Sequence, residues 1–471
     1  MPLVAGVDSS TSACKVQLRQ LDSGALVSTG RAPHPATTPP RSEQCAMDWD
    51  AAFTQACAQA GLGDTHRPVA VSVAAQQHGM VALDGEGHTL RPAKLWNDTE
   101  SAPDAEALLD ALGGGAAAWA DACGSVPVPS FTVTKLHWLR RNEPDVFARL
   151  ATILLPHDWL TFRLTGRYTT DRGDASGTGY WSPREERYRV DLLDLIDSAP
   201  EWHAMLPDVL GPTEAAGQWE AVGALVGAGT GDNMAAALGL GLRPGDLALS
   251  LGTSGTAFTV SDTPSADPTG TVAGFADATG RYLPLVCTMN ATKVTDAVAR
   301  LLGVDHGAFD ALARSCAPGA GGLVLVPHFD GERTPNRPEA TGTLRGLRSD
   351  VTPAQLARAA VEGVVANLLD AADALGSVAD DGRLFLVGGA AHSAVFRQVV
   401  ADLSGRAVVV PSDQELVATG AAVQAAVVQA GSSFADIADA WELGRGETTE
   451  PDPSVDRAAI RAAYTAAAAA A

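Results

Sequence analysis

Apolar residues in this chain come in short runs broken by Gly, Pro, Ser and Asp, and the runs alternate between strand-like and helix-like spacing. Residues 3–8 (L-V-A-G-V-D) are an apolar run ending at Asp8, and residues 14–18 (C-K-V-Q-L) follow as a second strand signal. The polar S-S-T-S between them predicts a hairpin turn. Residues 33–41, with four prolines and two threonines, predict a loop. Residues 69–75 (V-A-V-S-V-A-A) predict a buried strand that ends near His78. The opening recurs in the second half, where residues 246–251 and 256–260 flank the turn G-T-S-G. Thr352, Pro353 and Gln355 supply an N-cap, a first-turn proline and a capping-box partner for a helix through about residue 375. Residues 417–430 predict an apolar helix closed by Gly431, and the Ala-rich residues 458–471 a C-terminal helix. Alternating strands and helices predict an α/β protein. The repeated opening predicts two related domains, 1–242 and 243–471, divided at L-R-P-G.

A chain of 471 residues exceeds one ordinary core, which agrees with two domains. Its N-terminus reads as a strand and not as a secretory signal, and no apolar run is long enough for a membrane span. The formal net charge of -22 makes nucleic acid and anionic membrane poor partners. The same field repels nucleotides, so a nucleotide site here must rely on backbone N–H groups, helix N-termini and a divalent metal. Six scattered cysteines, none in a C-x-x-C pair, fit reduced thiols in a cytoplasmic protein and supply no zinc site.

No G-x-x-x-x-G-K-[ST] occurs, and none of the four lysines follows a glycine, so phosphates must be held by turns. Asp8 at a strand end can hold hydrated Mg²⁺, and the hydroxyls and N–H groups of Ser9 to Ser12, Thr11 among them, can meet phosphate oxygens. An ordinary hairpin turn would use the same residues. Gly252, Thr253, Ser254 and Gly255 invite the same two readings. Gly388, Gly389 and Ala390, between an apolar strand and a helix, leave room for a flat group such as adenine, or serve only close packing. Asp232, after Gly229-Thr230-Gly231, is either a helix N-cap or a general base for a hydroxyl nucleophile. Gln76, Gln77 and His78 form a polar strand end that can hydrogen-bond sugar hydroxyls or satisfy itself internally. Lys94-Leu95-Trp96-Asn97-Asp98 joins an aromatic face to amide and carboxylate groups, a usual sugar-holding set, although a lone Trp is more often core.

Several ordered segments resemble the FGGY family of carbohydrate kinases. They are G-V-D-S-S-T-S-A-C-K, S-F-T-V-T-K-L-H-W-L-R-R-N (130–142), L-S-L-G-T-S-G-T (249–256), V-P-H-F-D-G-E-R-T-P (326–335), and G-T-L-R-G-L with the following Gln355, Leu356 and A-A-V-E. The resemblance implies two actin-like (ribonuclease H-like) ATPase domains with a cleft between them, sugar binding to the first and ATP to the second. It implies Asp232 as catalytic base, and Asp8 as the carboxylate that handles Mg²⁺ and the transferring phosphate. Gln77, His78, Trp96, Asn97 and Asn233 match sugar-side positions. Thr11, Ser12, Lys15, Gly252–Gly255, Gly388–Ala390 and Ser393 match ATP-side positions. Q-Q-H-G and L-W-N-D are similar to members that act on D-xylulose. Ribulose or glycerol stays as an alternative substrate and a non-kinase actin-like ATPase as an alternative class, and a homodimer is left open. Ser10 departs from the family's glycine and would cost roughly 1–2 kcal/mol if its φ had to be positive.

Overall fold

A computed structural model describes residues 1–379 and 382–470. The chain divides into two compact units. The first takes Met1–Leu242, Ser261–Leu283 and Glu415–Leu443; the second takes Arg243–Val260, Pro284–Gln414 and Gly444–Ala471. Two segments from beyond residue 242 thus belong to the first unit, a long-range pairing that periodicity does not reveal.

The sheet of the first unit contains β1 (Leu3–Ser9), β2 (Ala13–Gln20), β3 (Leu26–Pro33), β4 (Ala70–Ala75), β5 (Ala215–Trp219), β6 (Ala224–Gly227) and the short β7 (Thr230–Gly231). Its order is β5-β6-β4-β1-β2-β3, with β7 also paired to β4. β1 and β2 form the predicted hairpin, Ser9 opposite Cys14, while β1, β6 and β7 all run parallel to β4. β4 is buried along its whole length, as a parallel strand covered on both faces requires. One face carries the helices Ala46–Ala60 and Pro156–Thr165, whose Trp49 and Trp159 meet edge to face at 6.1 Å within the core.

The helices Asp232–Leu240 and Leu416–Ala430 pack against each other through small residues. A Cβ on Gly239 would stand 2.1 Å from Leu416 O, and one on Gly420 would stand 1.8 Å from Ala235 O. Only glycine lets these backbones come so close. The second of these helices starts one residue before its predicted position and ends at Gly431 in a left-handed cap, as predicted.

The second unit repeats the plan. It contains β8 (Leu247–Leu251), β9 (Gly255–Thr259), β10 (Tyr282–Thr288, from Pro284 onward), β11 (Leu384–Val387), β12 (Val408–Pro411) and β13 (Gly446–Thr449). The order is β10-β9-β8-β11-β12-β13. The hairpin β8–β9 turns at G-T-S-G, and β8 runs parallel to β11 with Ser250 opposite Val387. The helix Pro353–Ala372 has the predicted capping box, with Thr352 and Gln355 bonding reciprocally. Its α-helical part stops at Ala372, short of the predicted residue 375, and the chain continues as a 3₁₀ segment. The C-terminal helix runs Arg457–Ala468; the end of its predicted span, Ala471, lies outside the described residues. No described helix is long and apolar enough to cross a membrane.

Candidate active site

Three neighbouring parallel strands of the first unit end side by side. Asp8 pairs in register with Ala74, and Thr230 and Gly231 pair with Ala74 and Ala75. The residues just past those strand ends are Gln76, Gln77 and His78 on one side and Asp232 and Asn233 on the other. Carboxyl ends of parallel strands are where α/β folds gather ligands, and the sequence-predicted residues Asp8, Gln77, His78, Asp232 and Asn233 meet there.

Asp8 is buried, and its Oδ1 has no hydrogen-bond partner among the described residues. Its Oδ2 lies 3.4 Å from Lys15 Nζ, the residue opposite it on β2. Lys15 Nζ also contacts Glu415 Oε2 at 2.5 Å. Burial pushes the Asp8 carboxyl up to about 6, with the Lys15 ammonium pulling the other way. Burial acts to lower Lys15, yet Asp8 and Glu415 outweigh it and hold the ammonium above its ordinary value. Glu415 had no sequence signal, because its partner is 400 positions away.

Asp232 is the first residue of its helix and not the cap, a position taken by Gly231. Its Oδ1 accepts from Asn233 N (2.8 Å) and Asn233 Nδ2 (3.0 Å), which leaves Oδ2 as the oxygen without a hydrogen bond among the described residues. Burial raises its pKa to about 7, and the charges of Asp8 and Asp174 add to the shift. Asp174 bonds His157 Nδ1 at 2.7 Å, part of a buried acidic cluster with Asp158 and Asp171 that the sequence did not signal.

Asn233 Nδ2 donates to Gln77 Oε1 at 2.8 Å, joining the two strand ends. Gln76 Nε2 and Gln77 Nε2 are buried without a hydrogen-bond partner among the described residues, so this end is not satisfied internally. His78 has a positive φ of 65°, and its Nδ1 donates to Gly177 O at 2.7 Å. Its ring stacks on Phe131 at 4.9 Å, fixing the imidazole.

Trp96 is exposed, and its Nε1 donates to Thr11 Oγ1 at 2.9 Å; Thr11 Oγ1 in turn donates to Gln76 Oε1 at 3.0 Å. The half-buried Asn97 has an unpartnered Oδ1. Asp98, from the same stretch, does not face a ligand: it is fully buried and accepts from Ser42 N and Lys94 Nζ. Lys94 Nζ fills the acidic cluster of Glu43, Asp98 and Glu100, at 3.3, 3.0 and 2.6 Å, so an ammonium already stands where a metal ion would. Ser12 is exposed in the first turn, and Ser10, in the same turn, donates from its hydroxyl to Ala13 O at 2.9 Å. Ser10 does not have a positive φ, so the anticipated strain does not arise.

In the second unit the two glycine turns lie at the carboxyl ends of the adjacent parallel strands β8 and β11. The glycines divide by physical cause. Gly388 has φ 85°, and its Cβ would meet Leu251 O at 2.7 Å; a Cβ on Gly255 would meet Thr288 Oγ1 at 2.6 Å. Both are required by the fold itself. Gly389 would place a Cβ in open space, and the nearest atom to one on Gly252 is 3.8 Å away, so the fold requires neither. Thr253 is exposed and Ser254 half-buried at the tip of the first turn; Ala390 is buried. Ser393 caps the helix Ala394–Ser404, accepting from Phe396 N and donating to Asp310.

Two family models match, the N-terminal domain of the FGGY family of carbohydrate kinases over residues 3–239 and its C-terminal domain over residues 247–428. The chain belongs to the FGGY family of carbohydrate kinases, and is therefore a phosphotransferase of two actin-like domains. It is 48% identical to a xylulose kinase of Streptomyces rubiginosus, over 95% of this chain and 92% of that one. It is 34% identical to the xylulose kinase of Escherichia coli, over 85% of this chain and 84% of that one. The crystal structure of xylulose kinase from Bifidobacterium adolescentis superposes with a TM-score of 0.88 at 40% identity, covering 99% of both chains.

Proposed function

We propose that this protein is a D-xylulose kinase that transfers the γ-phosphoryl group of ATP to the sugar, giving D-xylulose 5-phosphate. The observation that carries the reading is the gathering of Asp8, Gln77, His78 and Asp232 at three adjacent strand ends, with the buried Nε2 groups of Gln76 and Gln77 left without a hydrogen-bond partner among the described residues. Named relatives at 48% identity supply the particular sugar.

The chain's own residues divide the work. Gln77, His78, Trp96, Asn97 and Asn233 hold the sugar: the unpaired amide N–H groups of Gln77 donate to hydroxyl oxygens, and the Trp96 ring offers an apolar face. Asp232 accepts the proton of the attacking hydroxyl at Oδ2, while Asn233 fixes its Oδ1. A pKa near 7 suits a base that must be ionised yet still hold a proton. Lys15, carried by Asp8 and Glu415, supplies a positive charge beside the phosphate turn formed with Thr11 and Ser12. The open glycines Gly252 and Gly389 let the nucleotide approach the backbone of the second unit, with Thr253, Ser254, Gly255, Gly388 and Ala390 shaping the same turns. Ser393 contributes there by fixing the start of the following helix. The unpartnered Oδ1 of Asp8 fits a hydrated Mg²⁺, which when bound neutralises phosphate charge. Six unpaired cysteines fit action in the reducing cytoplasm.

The test is the product. Phosphorus NMR of a reaction with Mg·ATP and D-xylulose should show a new phosphomonoester on C5 in step with ADP. ADP formation with no phosphosugar would refute the kinase reading.

A further inference from the structure

The second unit buries a polar network behind the turn G-T-S-G. The carbonyls of that turn are held from behind: Gly252 O accepts from Thr292 N at 2.9 Å and Thr253 O from Ala291 N at 3.1 Å. The segment 289–292 is therefore the turn's backing. One buried carboxylate, Glu332, holds that backing. Its Oε1 accepts from Met289 N (2.6 Å) and Arg333 N (2.8 Å), and its Oε2 from Asn290 Nδ2 (2.9 Å) and Asn367 Nδ2 (3.1 Å). Asn290 Nδ2 also donates to Gly331 O at 2.7 Å. Asn367 lies on the helix Pro353–Ala372, and its Oδ1 accepts from Tyr464 OH at 2.9 Å, on the C-terminal helix. Four N–H groups from three stretches of chain thus converge on one carboxylate. Bonds to a charged acceptor are about twice as strong as neutral ones, and a fully satisfied buried network fixes a single geometry.

We propose that Glu332 is a positioning residue for the nucleotide: it locks the segment 289–292 behind Gly252–Gly255 so that the turn keeps the shape a phosphate requires. This rests on the reading of that turn as a nucleotide site. Phosphate held by backbone N–H groups tolerates little displacement, since there are no long side chains to reach after a shifted ligand. Loss of the lock should therefore weaken nucleotide binding and leave the sugar side alone.

Glu332→Gln keeps the shape and removes one acceptor. Turned one way, its NH₂ meets the backbone N–H groups of Met289 and Arg333, which cannot reverse. Turned the other way, it meets the amides of Asn290 and Asn367, already committed to Gly331 O and Tyr464 OH. At least one anchor is lost either way. The expected result is a rise of about tenfold in KM for Mg·ATP, with KM for D-xylulose within about twofold of the parent. Asn290→Ala cuts the side-chain anchor and spares the backbone bonds of Glu332; it should show the same split at smaller size, and keeps the test open if Glu332→Gln does not fold. Gly252→Val tests the turn as a nucleotide site independently of Glu332. If it leaves KM for Mg·ATP unchanged, the turn is not a nucleotide site. If Gly252→Val raises that KM while Glu332→Gln and Asn290→Ala do not, or move both KM values equally, the positioning role is wrong and the nucleotide reading stands.

Discussion

Asp232→Asn perturbs the proposed chemistry with the least change of shape. The side-chain carbonyl can still accept from Asn233 N, as Oδ1 does at 2.8 Å. What is lost is Oδ2 as a proton acceptor. General-base catalysis contributes typically 10²–10⁴-fold, about 3–5 kcal/mol of barrier, and kcat should fall by that factor. The pH dependence carries a second signature. Burial and the charges of Asp8 and Asp174 raise the carboxyl to about 7, so kcat/KM of the parent should fall tenfold per pH unit as pH drops below that value. The variant should lose this limb. Stability should move the other way. A carboxyl whose folded pKa is raised contributes stability below its unfolded pKa, near 4, and loses it as pH rises through about 7. At pH 8 the ionised Asp232 therefore opposes folding, and the thermal midpoint of Asp232→Asn should equal or exceed that of the parent. Coupled ADP release and differential scanning fluorimetry read both. A folded variant that turns over within tenfold of the parent, with the acid limb intact, would refute the role assigned to Asp232.

Gly389→Leu should fold normally, since its Cβ meets nothing within 4 Å, and should raise KM for Mg·ATP more than tenfold with KM for sugar unchanged; an unchanged KM for Mg·ATP would remove this position from the nucleotide site. Ser10→Gly should retain activity and lose about 1 kcal/mol of stability, because the hydroxyl bonds only Ala13 O among the described residues. A tenfold loss of activity at full folding would show that the hydroxyl itself touches phosphate or metal.

Strand ends were the legible part of this site. Asp8 and Gln76–His78 each follow a continuous apolar run, and a run long enough for a buried strand announces where it stops. The G-T-S-G turn was legible for the same reason. Strand order was not. Nothing local says that residues 224–231 lie parallel beside β4, yet that pairing is what brings Asp232 next to Gln77. The helix Leu416–Ala430 was legible as an apolar helix ending at Gly431, but its apolar character does not say what it packs against; here it lies within the first unit and delivers Glu415 to Lys15. Asp98 misled because a carboxylate beside Trp and Asn looks the same whether it faces sugar or, as here, a buried lysine.

ADP release with Mg·ATP across D-xylulose, D- and L-ribulose, glycerol and a no-sugar control measures both the sugar dependence of phosphoryl transfer and the choice of acceptor. Within this panel D-xylulose should give the highest kcat/KM, and the control should stay near background. A tenfold advantage for glycerol or ribulose, about 1.4 kcal/mol of transition-state binding, would overturn the substrate. Equal ADP release with and without sugar would contradict phosphoryl transfer to a sugar altogether.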